Sequence, residues 1–146
     1  MPNPPRFNSA SLDAHPNGQE VQTILAAALL AADPAECVRR ALSLQGDCLH
    51  AVDQDVALQP GRKVAVIAVG KAAPAMAAAA QGILGARLGE ALMIPKTLPQ
   101  AHPAGVQVIP GGHPLPNEAS LAAGTAALTL AESLDEQDLL LCLISG

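Results

Sequence analysis

Apolar positions follow no period over Met1–Gly18, a stretch rich in Pro, Asn, Ser and Gly. Such a segment buries too little surface to offset its ordering entropy, so residues 1–18 read as a disordered leader. From Gln19 the pattern changes. Val21, Ile24, Leu25, Ala28 and Leu29 recur at helical spacing, and Asp33-Pro34 ends that helix and opens the next, with Asp33 as its N-cap. The apolar run Ile24–Ala32 is too short to span a bilayer, which takes roughly 20 residues, and reads as a core helix. Val38, Ala41, Leu42 and Leu49 continue at helical spacing towards His50, which predicts two helices ahead of the first strand.

Past the turn at Pro60-Gly61, Val64–Val69 is a continuous apolar run closed by Gly70, as expected of a strand covered on both faces. Helical composition runs from Lys71 to about Arg87. Short strands follow at Ala91–Ile94 and Val106–Ile109, and Asn117 caps a helix reaching about Leu134. The apolar stretch Leu139–Ile144 reads as a further buried strand. The alternation predicts a Rossmann-like, doubly wound α/β domain with a mostly parallel sheet and two N-terminal helices. A core strand in such a sheet is normally followed by a covering helix, and here only Ser145-Gly146 follow. Residues 19–146 therefore read as the N-terminal part of an incomplete domain.

Composition narrows the function. Half of the 146 residues are hydrophobic, but Phe7 is the only aromatic and the net charge is −5. Nucleic-acid binding relies on basic surfaces and, for single strands, stacking rings, so it is disfavoured. Asp13 and Glu20 precede the first apolar run where a signal peptide carries positive charge, and no membrane segment is expected. Cys37, Cys48 and Cys142 are odd in number and scattered, with no CxxC or Cys/His pair at metal-ligand spacing. They read as reduced, buried thiols of a cytoplasmic protein.

Three short segments carry candidate chemistry. In Val69-Gly70-Lys71-Ala72-Ala73 a strand turns directly into a helix, whose N-terminal N–H groups and partial positive charge attract anions. Gly70 permits close backbone approach, and Lys71 opposes the helix dipole unless an anion binds; the alternative is a solvated Lys after a turn glycine. The segment is neither a Walker A loop nor a GxGxxG fingerprint. Gly111-Gly112-His113-Pro114-Leu115-Pro116-Asn117-Glu118 holds His113 in a stiff turn before a helix, able to donate to a carboxylate or phosphate or simply incidental to the turn. Ile144-Ser145-Gly146 places a hydroxyl and a glycine after a strand, a second possible phosphate loop.

Taken in order, Ala68-Val69-Gly70-Lys71-Ala72-Ala73, Gly112-His113-Pro114-Leu115-Pro116-Asn117-Glu118 and Leu143-Ile144-Ser145-Gly146 resemble the glycerate 2-kinases that carry a C-terminal MOFRL domain. The resemblance covers about Glu20 to Gly146, with Ala68 where many members have glycine and Asn117 where an acidic residue is common. It implies transfer of the ATP γ-phosphate to the 2-hydroxyl of D-glycerate, with Mg2+, in a cleft completed by a C-terminal domain. Lys71 then matches the catalytic lysine, and Gly70, His113, Ser145 and Gly146 match substrate- or phosphate-binding positions. The metal ligands, general base and oligomeric state are not implied. The fragment alone is expected to be inactive. A hydroxypyruvate reductase-type NAD(P)H oxidoreductase and a non-catalytic phosphosugar-binding module remain as alternatives.

Overall fold

The computed structural model describes residue 5 and residues 7–146, so residues 1–4 and 6 of the expected leader lie outside the described residues. The remainder of that segment contains a one-turn helix, α1 (Ala10–Asp13), capped by the Ser9 hydroxyl. Helix α2 (Gly18–Ala31) and helix α3 (Pro34–Ala41) follow as expected. Asp33 caps α3 by accepting from the Glu36 amide at 2.9 Å, with Pro34 in the first turn where its missing N–H costs nothing. Among the described residues no single helix is long and apolar enough to cross a membrane.

The helical spacing towards His50 does not hold. Strands β1 (Leu42–Gln45), β2 (Cys48–Ala51) and β3 (Gln54–Ala57) form an antiparallel sheet in that order. The reason is a two-residue period that the helical reading absorbed. Leu42, Leu44, Leu49, Ala51 and Val56 all join the main core, whereas Ser43, Gln45 and Asp55 are exposed. Gly46 and Val52 both have positive φ, at 60° and 57°, and each sits in a two-residue turn between paired strands. Arg87 ties this sheet to the rest by donating to the carbonyls of Gln59 and Arg62 and pairing with Asp47.

The second sheet is the expected one. Strand β4 (Val64–Val69) is followed by α4 (Ala73–Leu84), a short 3-10 turn, β5 (Leu88–Ile94), β6 (Val106–Val108), α5 (Glu118–Glu132) and β7 (Leu139–Ile144). All pairings are parallel and the order is β6-β5-β4-β7. Helix α4 covers one face, packing Ala73, Met76, Ala77 and Leu84 with Val64, Val66 and Ala68. Helix α5 covers the other, where Leu130 and Ala126 pack with Ala65, Ile67 and Leu92. Alternate residues of β4 thus serve two cores, so its whole sequence must be apolar.

Three expectations about burial fail. The apolar residues of α2 are not core: Ile24 is 67% and Leu29 53% exposed. Strand β7 is an edge, half-buried at best, with Cys142 and Ile144 exposed. Cys37 and Cys142 are exposed and Cys48 half-buried, so the thiols are free but not buried. The edge position explains Cys142, whose residue pairs with Ile67 on one side only.

Arg62 and Asp135 join the loop before β4 to the turn before β7, with N–O distances of 3.0 Å to Asp135 and 2.9 Å to Asp138. The backbone N–H of Gln137, and then Arg62, hold the Asp135 carboxyl below its ordinary value of 3.8. Because the folded value is depressed, the stabilisation is present above the unfolded value and lost as pH falls through the folded one. Asp135→Asn is expected to lower stability at neutral pH and to make acid unfolding below about pH 4 less steep, measured by denaturant midpoints across that range. In the β2–β3 turn, Val52→Asn is expected to raise stability by about 1 kcal/mol, because a β-branched residue is strained at positive φ and asparagine tolerates it. An unchanged or lower midpoint in guanidinium would refute the turn strain.

Candidate functional site

The chain leaves β4 for β5 and β6 on one side, then returns through α5 to place β7 on the other side of β4. The direction of winding therefore reverses between β4 and β7, and a crevice forms beyond the carboxyl ends of strands at such a point. Gly70 ends β4 there and Ser145 follows β7.

These two residues interlock. The Ser145 amide donates to the Val69 carbonyl at 2.9 Å, extending the parallel ladder by one step. The Ser145 hydroxyl accepts from the Ala72 amide at 3.0 Å and lies 3.4 Å from the Val69 carbonyl oxygen, to which it donates. Ala72 occupies the N-cap of α4 and has no side chain able to cap it. Ser145, 73 residues away in sequence, satisfies one of the donors in its place. Gly70 has φ 105°, and a Cβ there would overlap both the carbonyl and the hydroxyl oxygen of Ser145. Glycine is needed at position 70 for this contact, a reason distinct from the ligand approach expected from sequence.

The other wall comes from the chain beyond β5 and β6. Ile109 and Gly111 donate to the carbonyls of Met93 and Pro95 at 3.0 and 2.9 Å, so the segment runs along the end of β5. Gly112 donates to the Ser120 hydroxyl at 2.7 Å, and Asn117 and Ser120 form a reciprocal capping box at the start of α5. A Cβ on Gly112 would come within 2.7 Å of the Asn117 side chain, so this glycine too is fixed by packing. His113 stands exposed on the turn that follows.

The result is a cleft of about 260 Å³ whose lining includes Gly70, Lys71, Lys96, Gly112, His113, Ser145 and Gly146. All five residues singled out from sequence are brought together. Lys96 was missed: it follows Pro95 at the carboxyl end of β5, and the only signal for it was its place on the same sheet edge. Among the described residues the lining holds two lysines and a histidine and no Asp or Glu side chain, in a chain of net charge −5. Two larger concavities differ in character. One of about 630 Å³ beside α5 includes Glu90 and Glu118, and one of about 810 Å³ along α2 has no charged side chain among the described residues. Small size, concentrated positive charge and a helix N-terminus suit the cleft to a phosphate or carboxylate group.

The residues present fit the phosphates of a nucleotide better than its base, because the only aromatic side chain, Phe7, lines the concavity along α2. They do not fit Mg2+ by themselves, since that ion is held through side-chain carboxylates together with phosphate oxygens and the described lining has no Asp or Glu.

Ser145→Ala is expected to cost about 0.5–1.5 kcal/mol, the usual net worth of one intramolecular hydrogen bond. Gly70→Ala is expected to cost more than about 1 kcal/mol, since it adds both strain at positive φ and overlap with Ser145. Urea unfolding of the two variants checks the pair, and a Gly70→Ala variant as stable as the parent would contradict the interlock.

A domain-family profile described as "Domain of unknown function (DUF4147)" matches residues 20–146. The chain is 34% identical to the glycerate 2-kinase of Pyrococcus horikoshii over 82% of its length, and 30% identical to the D-glycerate 2-kinase of Thermotoga maritima over 78%. A glycerate kinase of Bos taurus is 35% identical over 77%. The chain spans only 26%, 29% and 24% of those relatives. A crystal structure of a Pyrococcus horikoshii protein superposes with a TM-score of 0.72 at 33% identity, over 80% of this chain and 26% of that one. The crystal structure of glycerate kinase from Thermotoga maritima gives 0.55 at 33% identity, over 60% and 21%. With the profile covering all but the first nineteen residues, the chain belongs to the DUF4147 domain family and is related to glycerate kinases.

Proposed function

We propose that this chain forms the phosphate-handling part of a glycerate 2-kinase, which transfers the ATP γ-phosphate to the 2-hydroxyl of D-glycerate. The observation that carries the reading is the cleft at the β4–β7 reversal, whose described lining holds Lys71, Lys96, His113 and Ser145 and no acidic side chain. The names of the relatives supply the substrate.

In that reaction the glycerate oxygen attacks phosphorus, the bond from the γ-phosphorus to the bridging oxygen of ADP breaks, and the hydroxyl proton passes to a base. Negative charge spreads over the transferring group, so positioning and charge neutralisation dominate catalysis. Lys71, at the start of the α4 turn, supplies the nearest full positive charge beside the helix N-terminus. Ser145 orients that terminus, His113 and Gly146 line the entrance, and Gly70 keeps the floor open. Magnesium, when bound with the nucleotide, would neutralise phosphate charge. No base for the glycerate hydroxyl is assigned. Because the relatives are roughly three times as long as this chain, the rest of the cleft and the nucleotide base site belong in this reading to further polypeptide, and the 146-residue chain alone is inactive.

The test is a coupled ADP-release assay with D-glycerate and ATP, on a protein of the relatives' length containing this domain. Lys71→Met is expected to lower kcat by about 10²–10³, as for removal of a charge-stabilising donor, while the fold is retained. Phosphate-ligand binding without turnover by the longer protein would favour a binding module, and saturable NADH binding would favour an oxidoreductase. Unchanged turnover in Lys71→Met would remove Lys71 from the mechanism.

A further inference from the structure

The antiparallel sheet carries a second cluster of reactive side chains, apart from the lining of the cationic cleft. Cys48 and His50 are alternate residues of β2 and so lie on one face of it. His50 is directly paired with Asp55 on β3, which brings the carboxylate to that same face. The opposite face is committed to the core through Leu49, Ala51 and Val56. Burial of those residues fixes the register, and the register leaves the three polar groups together on the outer side.

One donor atom from each of Cys48, His50 and Asp55 lies within 4.8 Å of the other two. The His50 Nδ1 and Asp55 Oδ1 are 2.5 Å apart. A tetrahedral zinc ion bonds sulfur at about 2.3 Å and nitrogen or oxygen at about 2.0–2.2 Å, which sets its donors roughly 3.4 Å from one another. The His50–Asp55 spacing is shorter than that value and every spacing is within 4.8 Å, so the three donors are close enough to converge on one ion by side-chain adjustment. Ser43 and Gln45, which pair with His50 and Cys48 from β1, are neutral. No cation competes from those positions.

We propose that Cys48, His50 and Asp55 form a site for one divalent transition-metal ion of the zinc type. Thiolate, imidazole and carboxylate make a borderline-soft donor set that suits zinc or cobalt and not magnesium, and three protein donors leave a fourth position for water. Cys48 binds as the thiolate and releases its proton to solvent, so one metal ion replaces one thiol proton. The ion clamps β2 to β3 across the turn that holds Val52 at positive φ, and adds binding free energy to the stability of the hairpin. Without metal, the same groups form an exposed His50–Asp55 pair of little consequence. The sequence concealed the site because Cys-x-His is a ligand spacing only on a strand, and this stretch reads as helix.

The test uses the 146-residue chain carrying Cys37→Ser and Cys142→Ser, so that Cys48 is the only thiol. Cobalt(II) is expected to produce thiolate-to-metal charge-transfer absorption that saturates at one ion per chain and is bleached by zinc. Zinc is expected to raise the Tm, and magnesium is not. Cys48→Ser should abolish the charge-transfer band. His50→Ala and Asp55→Asn should each weaken cobalt binding at least about tenfold, with unchanged far-UV circular dichroism as the control for folding. Absence of the band in the parent would overturn the proposal. So would a band that saturates at the same cobalt concentration in His50→Ala and Asp55→Asn, since a lone thiol would then account for it.

Discussion

The contact between Gly70 and Ser145 holds the candidate site together. Both residues stand just beyond the carboxyl ends of neighbouring parallel strands, and each makes sense only with the other. Glycine at 70 leaves room for the Ser145 carbonyl and hydroxyl. The hydroxyl then accepts from the amide of Ala72, the N-cap residue of α4, whose own side chain offers no acceptor. A helix N-terminus bonded to a neighbouring strand is held in fixed relation to that strand, and this sets the floor of the cleft. The two lysines are exposed, so they add charge at the rim without paying for burial, and His113 is exposed as well.

Charge distribution supports the same reading. Two of the chain's eight Lys and Arg residues, Lys71 and Lys96, line this crevice, and in the proposed reading their charge attracts an anion there. The cleft's small volume favours a single phosphate or carboxylate group over a whole nucleotide.

The parallel sheet was legible in the sequence because strands buried on both faces appear as unbroken apolar runs, as in Val64–Val69. The antiparallel sheet was not. Leu42 and Leu49 are seven residues apart, a spacing that fits helical periodicity as well as two strands of a hairpin, and strands of four residues give alternation little length in which to show itself. In the cleft, Gly70, Lys71, His113 and Ser145 were readable as punctuation at strand and helix ends. Their mutual contact was not, because the Ser145–Ala72 bond spans 73 residues and depends on strand order. Lys96 was hidden for the same reason: only the pairing of β5 beside β4 brings it to the crevice. Burial was the least readable property. Composition alone says that Ile24 and Ile144 are apolar, but their exposure depends on which surfaces meet.

The central claim is that the β4–β7 reversal binds a phosphate group at the α4 N-terminus. It is tested most directly by titrating inorganic phosphate into the isotopically labelled chain and following backbone amide resonances. The account predicts saturable shifts concentrated at Gly70, Lys71, Ala72 and Ser145, and much weaker ones after Lys71→Met. Shifts spread evenly over the surface, or centred on the concavities beside α5 and α2, would contradict it.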